Sequence, residues 1–206
     1  MDIEVIPVKY GKSTLPESMI LQSGSEDKVC AIDFIVYVLK AKEKVILVDA
    51  GCETMPGFVM TEFIGSIKAL EEIGISANTI TDVIITHSHH DHIECVKYFK
   101  NSVIHIQKDE FECGKQYIPE GFDVNAFVDT YLVCDGVKII KIGGHSKGSC
   151  IVELNENTVF VGDECYHRDC ITRKVPTGAT VCPEKSKTFI EKYSNSKYTL
   201  FFSHSK

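Results

Sequence analysis

The apolar stretch "DVIIT" runs directly into "HSHHDH", so a strand-like segment ends in four histidines and an aspartate within six positions, 87–92. A short run of this kind suits a buried strand, and segments beyond strand ends are where functional side chains gather. In extended backbone, residues i and i+2 point the same way, so His87 and His89 can converge on one point. A turn at the start of the next helix then redirects Asp91 and His92 toward a second point close by. That gives four nitrogen and oxygen donors for two adjacent divalent ions. His90 points the other way and is not expected to bind. The competing reading is a polar loop whose histidines are satisfied by hydrogen bonds. One histidine would favour it; four in six positions weigh against it. A binuclear site needs more ligands than this stretch holds, which places a demand on the rest of the chain.

Three further residues could meet that demand. His145 sits in the Gly-rich turn "GGHSKGS", Asp163 ends the apolar run in "VFVGDECY", and His204 follows the last apolar run in "LFFSHS". All three are expected at or just beyond strand ends. His105 alternates inside "VIHIQ" and reads as a strand side chain, while His167 lies in an irregular stretch and could face substrate or solvent.

The remaining pattern indicates one domain over residues 1–206. "IEVIPV", "AIDFIVYVLKA" and "KVILVDAG" read as strands, the latter two joined by the turn "KAKEK". "VMTEFIGSIKALEEIGI" spaces Phe63, Ile67, Leu70 and Ile73 at helical intervals, with Gly74 as its cap. "VIHIQ" is a further strand and "KDEFECGKQYI" a helix. "TYLVCD", "VKIIKIG", "SCIVELN" and "TVFVGD" follow as strands, then a helix in "PEKSKTFIEKYSN" and a strand in "YTLFFSHSK". Two mixed halves predict an α/β fold, two sheets packed face to face with helices outside. Residues 165–182 show no period and read either as a lid or substrate wall, or as a solvated excursion.

Composition narrows the function. The net charge is −7, and without a Lys/Arg cluster it leans away from nucleic acid. No apolar run approaches the roughly 20 residues of a membrane span, and the first residues lack the basic start and apolar core of a signal peptide. Nine scattered cysteines without a CxxC pair indicate reduced thiols. A cytoplasmic protein acting on a small molecule is expected; oligomeric state is not legible.

"LVDAG", "THSHHDH", "GHSKGS", "VGDECY" and "FFSHS" together resemble the metallo-β-lactamase-fold hydrolases, in family order from Asp49 to His204. The resemblance implies an αββα sandwich. It implies that His87, His89 and His145 hold one metal, that Asp91, His92 and His204 hold the other, and that Asp163 bridges them. It further implies two divalent ions, foremost Zn2+ with Mn2+, Fe2+ or Co2+ as alternatives, and hydrolysis by a bridging hydroxide. Asp91 would shuttle a proton to the leaving group. Asp49 matches the family's buried acid that orients a ligand histidine; alternatively it caps a turn. Glu94 and Cys95 stand where small residues are common, and Lys147 where proline is frequent. Cys95 and Cys165 lie near the expected ligands, but the two sets are complete without sulfur.

Tyr166, three residues after Asp163, has the spacing seen in N-acyl homoserine lactonases, where a tyrosine hydroxyl helps polarise the lactone; alternatively it packs under the loop. A catalytic role is therefore expected of Asp91 and Tyr166, in cleavage of an ester, lactone or related bond. The chain is shorter than is usual in that group. Glyoxalase II-like thioester hydrolysis, phosphodiester hydrolysis and a non-enzymatic metal-binding or sensing role are the rivals. Flavodiiron-type chemistry is disfavoured because His89 stands where those proteins carry glutamate.

Overall fold

The computed structural model describes residues 3–205. In chain order its elements are β1 (Glu4–Pro16), α1 (Glu17–Ile20), β2 (Val29–Ala41), β3 (Lys44–Val48), β4 (Met60–Thr61), α2 (Ser66–Glu72), β5 (Asp82–Ile85), α3 (His90–Ile93), β6 (Val103–Gln107), α4 (Lys108–Gly114), β7 (Asp123–Phe127), β8 (Thr130–Cys134), β9 (Val137–Lys141), β10 (Cys150–Leu154), β11 (Thr158–Phe160), α5 (Arg168–Arg173), α6 (Pro183–Tyr193) and β12 (Thr199–Phe201). They form two mixed sheets, one of seven strands in the order β4-β1-β2-β3-β5-β6-β7, the other of five in the order β12-β11-β10-β9-β8. The chain divides into two compact units, Met1–Lys12 with Phe34–Val128, and Ser13–Asp33 with Asp129–Lys206.

In the first unit β3, β5, β6 and β7 run parallel. Buried parallel strands need continuous apolar sequence, and Val83, Ile84 and Ile85 are fully buried. Val48 of β3 pairs with Ile84 of β5, so Asp49, just past the end of β3, and Thr86, just past the end of β5, leave the sheet within hydrogen-bonding reach. The second unit repeats this device. There β11 and β12 are parallel, with Phe160 opposite Phe201 and their rings stacked at 5.1 Å. Asp163 and His204 each lie three residues beyond that pair.

Two expectations are corrected and one gap is filled. The helix predicted from Val59 onward begins only at Ser66, because Glu62 and Gly65 adopt positive φ (51° and 81°) and Met60–Thr61 pairs as β4. Gly74 does close the helix, at φ 78°, where its N–H reaches Glu71 and that of Ile75 reaches Leu70. "DVNAF", which the sequence pattern left unassigned, is β7, whose half-exposed residues blur the alternation that marks a strand. Residues 165–182 are not structureless, since α5 lies at their centre. His167 accepts from the Asp169 N–H at the start of α5. Hydrogen bonds from Gln22 N–H to Pro176 and from Gly178 N–H to Met19 tie the segment to the region of α1. No helix among the described residues is long and apolar enough to cross a membrane.

Candidate metal centre

In the first unit, β5 ends at Ile85 and the chain bends through Thr86–Ser88 into α3, with His89 as its extended N-terminal flanking residue. The His87 ring lies 4.6 Å from that of His89 and 4.0 Å from that of His92. His87 and His92 are buried, and His89 is exposed. Oδ2 of Asp91 stands 3.6 Å from Nε2 of His92. His90 turns away, with Nε2 at 2.8 Å from the Thr54 hydroxyl and Nδ1 at 3.3 Å from that of Tyr117.

The loop is held by carboxylates from below. Glu110, buried in α4, accepts from both the N–H and the hydroxyl of Ser88. Asp49 takes a left-handed conformation, φ 61°, which aspartate tolerates better than most residues. Its Oδ1 accepts from Thr86 N–H at 2.8 Å, and its Oδ2 from the Thr86 hydroxyl at 3.0 Å and from Nδ1 of His92 at 2.8 Å. An ionised carboxylate only accepts, so the His92 proton sits on Nδ1 and Nε2 keeps its lone pair. Thr86 has one hydroxyl proton and gives it to Asp49. Its oxygen then accepts from Nδ1 of His87, 3.2 Å away, leaving Nε2 of His87 as a donor atom as well.

The second unit assembles its own set. Nδ1 of His204 lies 3.1 Å from the carbonyl oxygen of Asp33. A carbonyl only accepts, so Nε2 is again the free-pair nitrogen. That Nε2 stands 3.2 Å from Oδ1 of Asp163, while Nε2 of His145 stands 3.6 Å from Oδ2. One carboxylate thus presents one oxygen to each histidine. All three residues are buried. Tyr166 packs its ring against both histidines, edge-on to His145 at 5.7 Å and tilted over His204 at 4.9 Å.

The turn carrying His145 rests on Glu164, which is fully buried and accepts from the N–H groups of Gly144 and His145 and the hydroxyls of Ser149 and Ser186. Burial pushes its carboxyl up to about 7, against the opposing pull of those hydrogen bonds. Sequence reasoning passed over Glu164, Thr86 and Glu110. Their only signal was a polar residue inside or beside an apolar run.

The donors suit divalent metal ions. Nitrogen or oxygen atoms of ligands held at roughly 2.0–2.1 Å on a tetrahedral ion stand about 3.3 Å apart, and the three imidazole–carboxylate separations above are 3.2–3.6 Å. Sulfur is not required. Burial pushes the thiols of Cys95 and Cys165 well up, which disfavours the thiolate that metals bind. Glu94, one of the departures from the usual pattern, accepts from Glu53 N–H at 2.7 Å and pairs with Lys97.

Residues 36–183 match the sequence profile of the metallo-beta-lactamase superfamily. The chain belongs to that superfamily. Among its curated relatives is a "probable metallo-hydrolase" of Methanocaldococcus jannaschii, 31% identical over 131 residues, a match that spans 64% of this chain and 56% of that protein. The N-acyl homoserine lactonase AiiA of Bacillus thuringiensis subsp. kurstaki is 23% identical over 230 residues, covering 96% of this chain and 91% of the relative. Among solved structures, an N-acyl homoserine lactone hydrolase with N-hexanoyl-L-homoserine at its catalytic metal centre superposes with TM-score 0.86 at 21% identity, over 100% of this chain and 94% of the other. The two mixed sheets with helices are therefore the metallo-β-lactamase fold, and the chain falls among the superfamily's hydrolase enzymes.

Proposed function

We propose that this metallo-β-lactamase superfamily member is a binuclear metal-dependent hydrolase that opens small lactones or related esters. His87, His89 and His145 would hold one ion and Asp91, His92 and His204 the other, with Asp163 between them, as one metallo-hydrolase domain. The observation that carries the reading is the Asp163 carboxylate, one oxygen facing His145 and the other His204. Support also comes from His87, His92 and His204, whose Nδ1 atoms are each engaged by an oxygen so that each Nε2 remains a ligand. The all N/O donor set fits Zn2+ first and Mn2+, Fe2+ or Co2+ as alternatives.

Two such ions, when bound, supply Lewis acidity and lower the pKa of water toward neutrality. The chain's own groups do the rest. Tyr166, whose ring packs against His145 and His204, would donate its phenolic proton as a hydrogen bond to the substrate's carbonyl oxygen as charge develops there. Asp91, half-buried beside His92, is the group to carry a proton to the departing alkoxide. The backbone oxygen of Asp91 accepts from the buried Tyr10 hydroxyl at 2.8 Å, which fixes the start of α3. The lactone assignment draws on the relatives named above, whose printed activities are lactone hydrolysis. The acidic charge favours a small-molecule substrate over a polyanion, and the scattered thiols favour a cytosolic setting.

Elemental analysis of the purified protein beside a His89→Ala variant, with hydrolysis of an N-acyl homoserine lactone panel, tests the proposal. Close to two transition-metal equivalents that fall in the variant, with turnover abolished by chelation, is the expected result. No metal in either protein, even after incubation with Zn2+, would overturn it.

A further inference from the structure

We infer that Glu164 is a positioning residue for the metal site: its carboxylate builds the turn that aims His145, while its own backbone carries the adjacent ligand Asp163. The inference rests on the reading of His145 and Asp163 as ligands given above. The turn Ile142–Ser149 joins β9 to β10 and is closed from within by Gly143 N–H on the Ser149 carbonyl at 3.0 Å and by Ser146 N–H on the Ser149 hydroxyl at 3.1 Å; these bonds leave Gly144 and His145 themselves to be fixed from elsewhere, beside a Gly143 at φ 74°. The acceptor for those two residues comes from outside the turn. Three donors converge on one oxygen of Glu164: Gly144 N–H at 3.1 Å, His145 N–H at 3.3 Å and the Ser149 hydroxyl at 2.5 Å. The other oxygen takes the Ser186 hydroxyl of α6 at 3.4 Å.

The surroundings are shaped to that carboxylate. Gly144 has no side chain because a Cβ there would run into Oε2 of Glu164 and the Ser186 hydroxyl. The Gly144 carbonyl is occupied in turn by the Thr180 hydroxyl at 2.7 Å and by the N–H groups of Val181 and Cys182. Glu164 stands on the short 3-10 turn Gly162–Glu164. One residue therefore sets both partners of the 3.6 Å His145–Asp163 pair, Asp163 through the main chain and His145 through the side chain. Glu164 touches no substrate in this scheme. Its effect reaches the metal through His145, as supporting hydrogen bonds to ligands do elsewhere.

The test compares Glu164→Leu, Glu164→Gln and His145→Ala with the wild type. Zn2+ affinity is read by competition with a chromogenic chelator, the visible spectrum is read after Co2+ loading, and metal-free thermal stability is followed in parallel. Leucine fills the space without an acceptor. Glutamine keeps an oxygen for the two N–H groups. Glu164→Leu is expected to weaken metal binding roughly 10–100-fold and to shift the Co2+ spectrum as His145→Ala does, and Glu164→Gln to recover most of both. Should Glu164→Leu not fold, Ser149→Ala removes one donor to the same oxygen and is expected to weaken Zn2+ binding by a smaller factor. Wild-type Zn2+ affinity and Co2+ spectrum in a folded Glu164→Leu, or in Ser149→Ala if that variant is needed, would overturn this inference alone. A wild type that binds no metal, with His145→Ala indistinguishable from it, would instead overturn the ligand reading beneath it.

Discussion

The carboxylate of Asp49 governs His92 directly, across 2.8 Å, and His87 through the hydroxyl of Thr86. A single acid thereby sets the tautomers of two proposed ligands. Asp49→Asn tests this relationship. Asparagine also tolerates the left-handed backbone, but with its amide oxygen on Thr86 N–H it must turn its NH2 toward His92. That would move the ring proton to Nε2, the nitrogen needed by the metal. Metal affinity is expected to fall roughly 10–100-fold, measured by chelator competition, with the displaced proton visible in the 15N shifts of the imidazole.

Tyr166 gives a prediction that separates chemistry from packing. Tyr166→Phe keeps the ring between His145 and His204 and removes only the hydroxyl. On the proposed role, kcat for a lactone falls by about tenfold to several hundredfold, while metal content and thermal midpoint stay at the wild-type level. Unchanged turnover would leave Tyr166 with a packing role.

Gly144→Ala should act on stability first. The added methyl meets Glu164 and Ser186 inside van der Waals contact, an overpacking that typically costs about 1–3 kcal/mol. For a chain of this size that is a fall of roughly 2–12 °C in Tm, readable by calorimetry on the metal-free protein.

A second buried acid, Asp82, gives the fold a pH dependence of its own. Burial alone would push its carboxyl up, but hydrogen bonds from His105, Lys44 and Thr81 outweigh that and hold it down at about 2. The folded-state value lies below the unfolded one, near 3.9. The contribution is therefore complete above about pH 5 and lost as pH falls toward 2. Asp82→Asn is expected to cost about 2 kcal/mol at pH 7. The gap between the two proteins should close on acidification, as followed by urea denaturation at pH 7, 4 and 3. A gap that stays constant to pH 3 would refute the assignment.

Much of the candidate site was legible because its chemistry is local. His87, His89, Asp91 and His92 share six positions after an apolar run, and the i, i+2 rule already pointed two of them one way. His145, Asp163 and His204 each followed a strand pattern, and β11 and β12 lie parallel with Phe160 beside Phe201. The errors fell where backbone conformation overrides side-chain pattern. Positive φ at Glu62 and Gly65 cut the predicted helix to Ser66–Glu72, and α5 formed inside a segment without period, tied to residues some 150 positions earlier.

The sequence by itself determined the types and spacing of the candidate ligands and an α/β class with two mixed halves, since these depend on residue chemistry and on periods of two and 3.6. Only the tertiary structure decided which nitrogen of His87 and His92 is offered and what holds the turns that carry Ser88 and His145. Those depend on hydrogen bonds to Asp49 from Thr86 and His92, from Ser88 to Glu110 and from His145 to Glu164. Their partners are separated by 19 to 43 residues. No local pattern encodes such pairings; they exist only once paired strands bring their ends together.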